Sequence, residues 1–146
     1  MRISDIIRNK GKVVVTVPPD TDVRSLLTVL AENRIGAVVV SSDGSTINGI
    51  VSERDIVRAL AARGAAILSE PVSAIMTSEV QTCVLGTHID ELAAAMTEGR
   101  FRHVPVITDE GRLDGLVSIG DVVKIRITEL EVERDSLSSY IRAAAT

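Results

Sequence analysis

The pattern of apolar and polar positions divides the chain into short alternating elements. Val13-Val14-Val15-Thr16-Val17 is a β-branched run stopped by Pro18-Pro19, which predicts a strand. From Asp22 onward, Val23, Leu26, Leu27 and Leu30 fall at i, i+3, i+4 and i+7, one face of a helix that ends near Arg34. Gly36 to Val40 and Ile47 to Val51 are apolar runs separated by Ser41-Ser42-Asp43-Gly44-Ser45-Thr46, whose turn-forming residues predict a hairpin. A second helix opens after Ser52 and runs to about Ala62. The order strand, helix, strand, strand, helix then recurs at 79–83, 88–99, 103–107, 113–117 and a helix from Ile119.

The recurrence is an internal repeat. A shift of 66 positions lays 14–58 on 80–124 without a gap, and 14 of the 45 pairs are identical, among them Thr16/Thr82, Arg34/Arg100, Gly49/Gly115, Ser52/Ser118 and Asp55/Asp121. The openings Ile3-Ser4-Asp5-Ile6-Ile7 and Val72-Ser73-Ala74-Ile75-Met76 also resemble each other, but at a shift of 69, so the first copy carries three extra residues near Asn9–Lys12, where a loop is expected. A unit of this length buries too little surface to be comfortable alone. The expectation is an α/β fold of two β-α-β-β-α halves packed about a pseudo-twofold axis, residues 1–67 and 68–128, with related clefts where they meet.

The final helix outlasts its counterpart. No Gly or Pro interrupts Asp121 to Thr146, and Val123, Ile127, Leu130, Leu137 and Ile141 recur at heptad-like intervals broken by Arg134, which predicts a helical extension over 129–146. Such a stripe needs a cover, either its own chain or a second subunit; the second, a homodimer, is the reading adopted. The acidic run Glu129, Glu131, Glu133 is the solvated side.

Composition removes several classes of function. No stretch reaches the roughly 20 apolar residues of a spanning helix, and the opening Met1-Arg2-Ile3-Ser4-Asp5 lacks the apolar core of a secretory signal, so the cytoplasm is the expected compartment. A net charge of −4 is a poor footprint for nucleic acid or an anionic membrane. One cysteine, Cys83, and two histidines do not make a zinc module. Cys83 reads as a small core residue, His88 as an exposed residue opening a helix, and Met96 as packing. With only Phe101 and Tyr140 as aromatics, base-stacking platforms are absent.

Candidate chemistry is concentrated where the third strand of each copy ends. Gly49-Ile50-Val51-Ser52-Glu53-Arg54-Asp55 and Gly115-Leu116-Val117-Ser118-Ile119-Gly120-Asp121 share a glycine, two aliphatic residues, a serine and an aspartate. Ser-x-x-Asp before an apolar run is a capping box. The duplicated motif also supports a second reading. A helix N-terminus and a serine hydroxyl offer donors to a phosphate, and an aspartate one turn on accepts from two vicinal ribose hydroxyls.

With these motifs the chain resembles a tandem pair of cystathionine-β-synthase (CBS) domains, or Bateman module, over roughly residues 1–128. The resemblance implies a stand-alone regulatory module binding AMP, ADP or ATP between its two domains, with NAD(H) as the alternative ligand and no required cofactor. It implies that Asp55 and Asp121 hold ribose, that Ser52 and Ser118 reach phosphate, and that Thr16, Thr82, Ala37, Val38, His103 and Val104 frame the adenine; Met76 closes a segment that can line the same pocket. It also implies a homodimer and an unidentified protein partner.

The copies differ at the second strand, where Gly36-Ala37 stands opposite Arg102-His103. In the family an Arg-His-h-Pro-Val segment is often the phosphate-facing element, and a guanidinium can grip phosphate through two hydrogen bonds. The cleft using Asp121, Ser118, Arg102 and His103 is therefore the expected tighter site; Arg54 either reaches the phosphate from the other side or lies along the surface. The Walker loop, nucleophile elbow, zinc-protease helix and dinucleotide fingerprint are all missing, so a sensor is expected rather than an enzyme. A nucleic-acid-binding or purely structural dimer is the rival class.

Overall fold

The computed structural model describes residues 1–145; Thr146, the last residue of the predicted extension, lies outside them. The chain runs through α1 (Ile3–Lys10), β1 (Thr16–Val17), α2 (Val23–Asn33), β2 (Ala37–Val40), β3 (Gly49–Ser52) and α3 (Glu53–Arg63). Two 3-10 turns, Ala65–Ser69 and Val72–Ala74, then lead to α4 (Ile89–Gly99), β4 (His103–Ile107), β5 (Leu113–Ser118) and α5 (Ile119–Ala145).

β1 lies parallel to β2 with Thr16 opposite Val39, and β2 is antiparallel to β3 with Ala37 opposite Ser52 and Val40 opposite Gly49. In the second copy β4 and β5 are antiparallel, with His103 opposite Ser118. The predicted strand 79–83 shrinks to one parallel bridge between Cys83 and Val106. The cause is Pro105. In the first copy Val39 N donates to Val15 O at 3.4 Å; Pro105 stands in Val39's place and has no N–H to give. Pairing therefore starts only at Cys83, whose N donates to Pro105 O at 3.0 Å and whose O accepts from Ile107 N at 2.8 Å. The predicted strand 13–17 is likewise shortened to Thr16–Val17, and Val13 is 96% exposed.

The opening of the chain also departs from expectation. Asn9 and Lys10 belong to α1, and the loop begins only at Gly11, whose φ of +93° suits a residue without a Cβ. Ile3, Ile6 and Ile7 of α1 are buried in the core of the second copy, with Ile89, Leu92, Met96, Val104, Val106 and Val117. Conversely, Val72 is buried in the core of the first copy, among Val23, Leu26, Val38, Val40 and Val51, with Ile75 and Met76 packed against it. Each opening segment thus seals the other copy's core. The match at a shift of 69 has a direct structural counterpart: Met76 Sδ lies 2.7 Å from where a Gly49 Cβ would stand, and Ile7 Cδ1 lies 2.8 Å from the same point at Gly115.

α5 contributes Val122 and Ile125 to the second core. Beyond them its apolar side chains are exposed, Leu130 at 57% and Leu137 at 59%.

Candidate functional site

Each duplicated motif folds as a strand that passes directly into a helix. Ser52 ends β3 in extended conformation and caps α3; Ser52 N donates to Asp55 Oδ2 at 2.8 Å and Asp55 N donates to Ser52 Oγ at 3.3 Å. Ser118 and Asp121 repeat this at the start of α5, with distances of 2.8 and 3.2 Å. The capping box is present in both copies. At α3 Glu53 N donates to Gly36 O at 2.9 Å, which ties the helix start to the loop before β2.

A cavity of about 520 Å³ opens above the N-terminus of α3. The first copy supplies Gly36, Ser52, Arg54, Asp55 and Arg58; Thr77, Glu79 and Val80 line it from the connector, and Arg100, Phe101, Arg102 and His103 from the second copy. Thr77 is held there by a two-way bridge in which Ile50 N donates to Thr77 O at 3.0 Å and Thr77 N donates to Ile50 O at 2.9 Å. Arg100 ends α4 in the left-handed region at φ 55°, as Arg34 ends α2 at φ 54°. For a non-glycine residue this conformation costs about 1–2 kcal/mol.

The cavity carries four arginines against three carboxylates, Glu53, Asp55 and Glu79. Arg54, Arg58, Arg100 and Arg102 all line the cavity, and among the described residues none of the four forms an ion pair. Ile50, Val80 and Phe101 add apolar wall. The His103 ring packs across the boundary between copies, with Cε1 and Nε2 both 3.8 Å from where a Gly36 Cβ would stand. Burial is the main cause that lowers its pKa; Lys10 and Arg102 push the same way, against Asp121 and Glu53.

The lining of this cavity groups the candidate residues differently from the expected cleft, although His103 also stands opposite Ser118 in the sheet. Arg102 and His103 line one cavity with Ser52, Arg54 and Asp55, not with Asp121. The reason is the packing of the two copies face to face: β4 enters from the second copy where α3 starts in the first. Asp121 is instead bonded to Lys10, whose Nζ lies 2.6 Å from Asp121 Oδ2. Thr16, Thr82 and Ser118 do not line the cavity. Ala37, Val38 and Val104 are core residues at 2%, 0% and 1% exposure. Sequence reasoning missed Arg58, Arg100, Thr77, Glu79 and Phe101. The identical pair Arg34/Arg100 and the similar pair Arg58/Lys124 were the available signals. Among the described residues no cluster of His, Cys, Asp and Glu is arranged to hold a metal ion, and no helix is long and apolar enough to cross a membrane.

A fold of two interlocked α/β halves, β-α-β-β-α in the first and α-β-β-α in the second, with a cleft at a Ser-x-x-Asp turn, defines a paired ligand-binding module. The family model for the CBS domain matches residues 3–62 and 72–127, and the chain belongs to the CBS-domain family. Among curated relatives, the mitochondrial CBS domain-containing protein CBSX3 of Arabidopsis thaliana is 34% identical over 96% of this chain and 71% of its own length. The crystal structure of the CBS-domain-containing protein ATU1752 from Agrobacterium tumefaciens is 47% identical, covers 86% of this chain and 99% of that one, and superposes with a TM-score of 0.82. The CBS domain protein PAE2072 from Pyrobaculum aerophilum, solved in complex with AMP, is 32% identical over 83% of this chain and 89% of its own, with a TM-score of 0.73.

Proposed function

We propose that this CBS pair is a non-catalytic regulatory module that binds an adenine mononucleotide in the cleft between α3 and β4. The observation that carries the reading is the convergence, with the Ser52–Asp55 turn on one cavity, of four arginines that form no ion pair among the described residues. Arg102 and the α3 N-terminus receive the phosphate, Asp55 accepts from the ribose diol, and Ile50, Val80 and Phe101 form the apolar wall beside the base. The volume of about 520 Å³ lies inside the usual range for small-ligand sites. That the related protein from Pyrobaculum aerophilum holds AMP supports the choice of ligand.

Because the lining comes from both copies, a bound nucleotide ties them together, and it acts as a signal to the extent that it binds one arrangement better than another. A second copy of the chain is the partner this reading assigns to the outer surface. Val57 and Val123, identical under the repeat, are 64% and 51% exposed on α3 and α5.

Calorimetric titration with AMP and melting with and without it test the proposal. Saturation at about 100 times Kd stabilises the fold by about 2.7 kcal/mol, a rise of several degrees. No heat and no shift at millimolar AMP would refute it.

A further inference from the structure

The two Ser-x-x-Asp turns are related by the repeat, but different groups cover the strand beside each. In the first copy the strand end at Ile50 is closed by backbone, Thr77 N donating to Ile50 O at 2.9 Å. In the second copy Leu116 takes the place of Ile50, and its carbonyl accepts from a side chain, Lys10 Nζ, at 2.8 Å. The same ammonium lies 2.6 Å from Asp121 Oδ2, the counterpart of Asp55. Lys12 Nζ fastens the next stretch of chain to β5 through Asp114 Oδ1 at 3.1 Å. Under the 69-residue shift that relates the openings, Lys10 corresponds to Glu79. Glu79 lines the first cavity and among the described residues makes no ion pair. Among the described residues Asp55 forms no ion pair, whereas its counterpart Asp121 is bound to Lys10.

We propose that Lys10 is an internal plug that closes the second cleft to nucleotides, so that each chain takes up one AMP. This rests on the reading of the first cleft. Among the described residues Asp55 Oδ2 accepts only from its own turn, Ser52 N and Ser52 Oγ, whereas Asp121 Oδ2 accepts from Ser118 N and in addition from the Lys10 ammonium, which also donates to Leu116 O and occupies the space beside the carboxylate that a ribose diol would need. A nucleotide entering there must break a charge-assisted bond, among the stronger kinds available. The pair is partly solvated, with side chains 38% and 23% exposed, so the plug is displaceable rather than permanent.

Equilibrium dialysis against AMP, counting equivalents per chain up to about ten times the first-site Kd, decides the matter. Wild type is expected to take up one equivalent. Lys10→Met, which keeps the aliphatic stem, takes up two, with the new site at least tenfold tighter than the second cleft of wild type. Lys10→Arg stays at one, and Asp121→Asn placed in the Lys10→Met background returns it to one. Lys10→Gln keeps a donor for Leu116 O and gives the same gain should Lys10→Met fail to fold. Two equivalents in wild type, or no gain in Lys10→Met and Lys10→Gln, overturns the plug. Wild type binding none while Lys10→Met binds one sinks the first-cleft reading and leaves the plug standing. One equivalent in both proteins does the reverse, and none in either sinks both.

Discussion

Replacing Asp55 by Asn tests the ribose contact with little disturbance of the fold. The capping geometry survives, because an amide oxygen can still accept from Ser52 N, which is 2.8 Å from Asp55 Oδ2. The substitution removes the negative charge, not the shape. Hydrogen bonds to a charged group contribute about 1.5–3 kcal/mol against about 0.5–1.5 kcal/mol for neutral partners, so a diol that donates twice loses about 2–3 kcal/mol on the change. That is roughly a 30- to 150-fold weaker Kd for AMP. Cap quality changes by a few tenths of a kcal/mol, which at this chain length moves the melting temperature by no more than about 2 °C. Asp121→Asn is the matched control. It loses the bond to Lys10 Nζ, but it does not line the cavity and leaves AMP affinity within twofold of wild type. Calorimetry on the two variants with melting curves beside it reads both quantities. Equal affinity in wild type and Asp55→Asn, or a larger loss in Asp121→Asn, would refute the assignment of the ribose to Asp55.

His103 has its folded pKa lowered chiefly by burial, with Lys10 and Arg102 adding to the shift against Asp121 and Glu53. Its contribution to stability is fully present above the unfolded value near 6.5 and is lost as pH falls through the folded value. Melting temperatures between pH 8 and pH 5 are expected to fall more steeply for wild type than for His103→Gln, and parallel curves would contradict this. A Cβ on Gly49 would stand 2.7 Å from Met76 Sδ and 2.8 Å from Thr77 O, so Gly49→Ala is expected to cost about 1–3 kcal/mol in a denaturant titration. Burial pushes the Cys83 thiol up to about 11, so at pH 8 it should react with a thiol reagent at least tenfold more slowly in native than in unfolded protein. Val57→Glu with Val123→Glu is expected to shift the sedimentation coefficient from dimer to monomer, and an unchanged value would remove these residues from the subunit contact.

The repeat and its elements were legible because each depends on local pattern: the helical spacing of Val23, Leu26 and Leu30, the β-branched run of β2, the Ser-x-x-Asp turn. Two kinds of feature were not. One was the loss of the second copy's first strand. Pro105 was visible, but its effect lies on the neighbouring strand, where Gln81 O has no donor to meet. The other was the partnering of distant segments. Nothing near Ile3, Ile6 and Ile7 in sequence says that they seal the second core, since an apolar i, i+3, i+4 face names no partner. The regrouping of Arg102 and His103 with Asp55 follows from the same blindness. Periodicity shows which residues are equivalent under a repeat, whereas a cleft is built from non-equivalent residues brought face to face.

The exchange of opening segments bears on how the chain is assembled. Ile3 N donates to Thr87 O at 2.9 Å and Ser4 N to Leu85 O at 2.9 Å, so these residues dock only after some eighty that follow them have emerged. The first core, by contrast, is complete once translation has passed Met76. The first core can therefore close before the second, whose completion requires the docking of α1. Lys10 rides on that helix, so the same closing motion that finishes the second half also delivers the ammonium to Asp121.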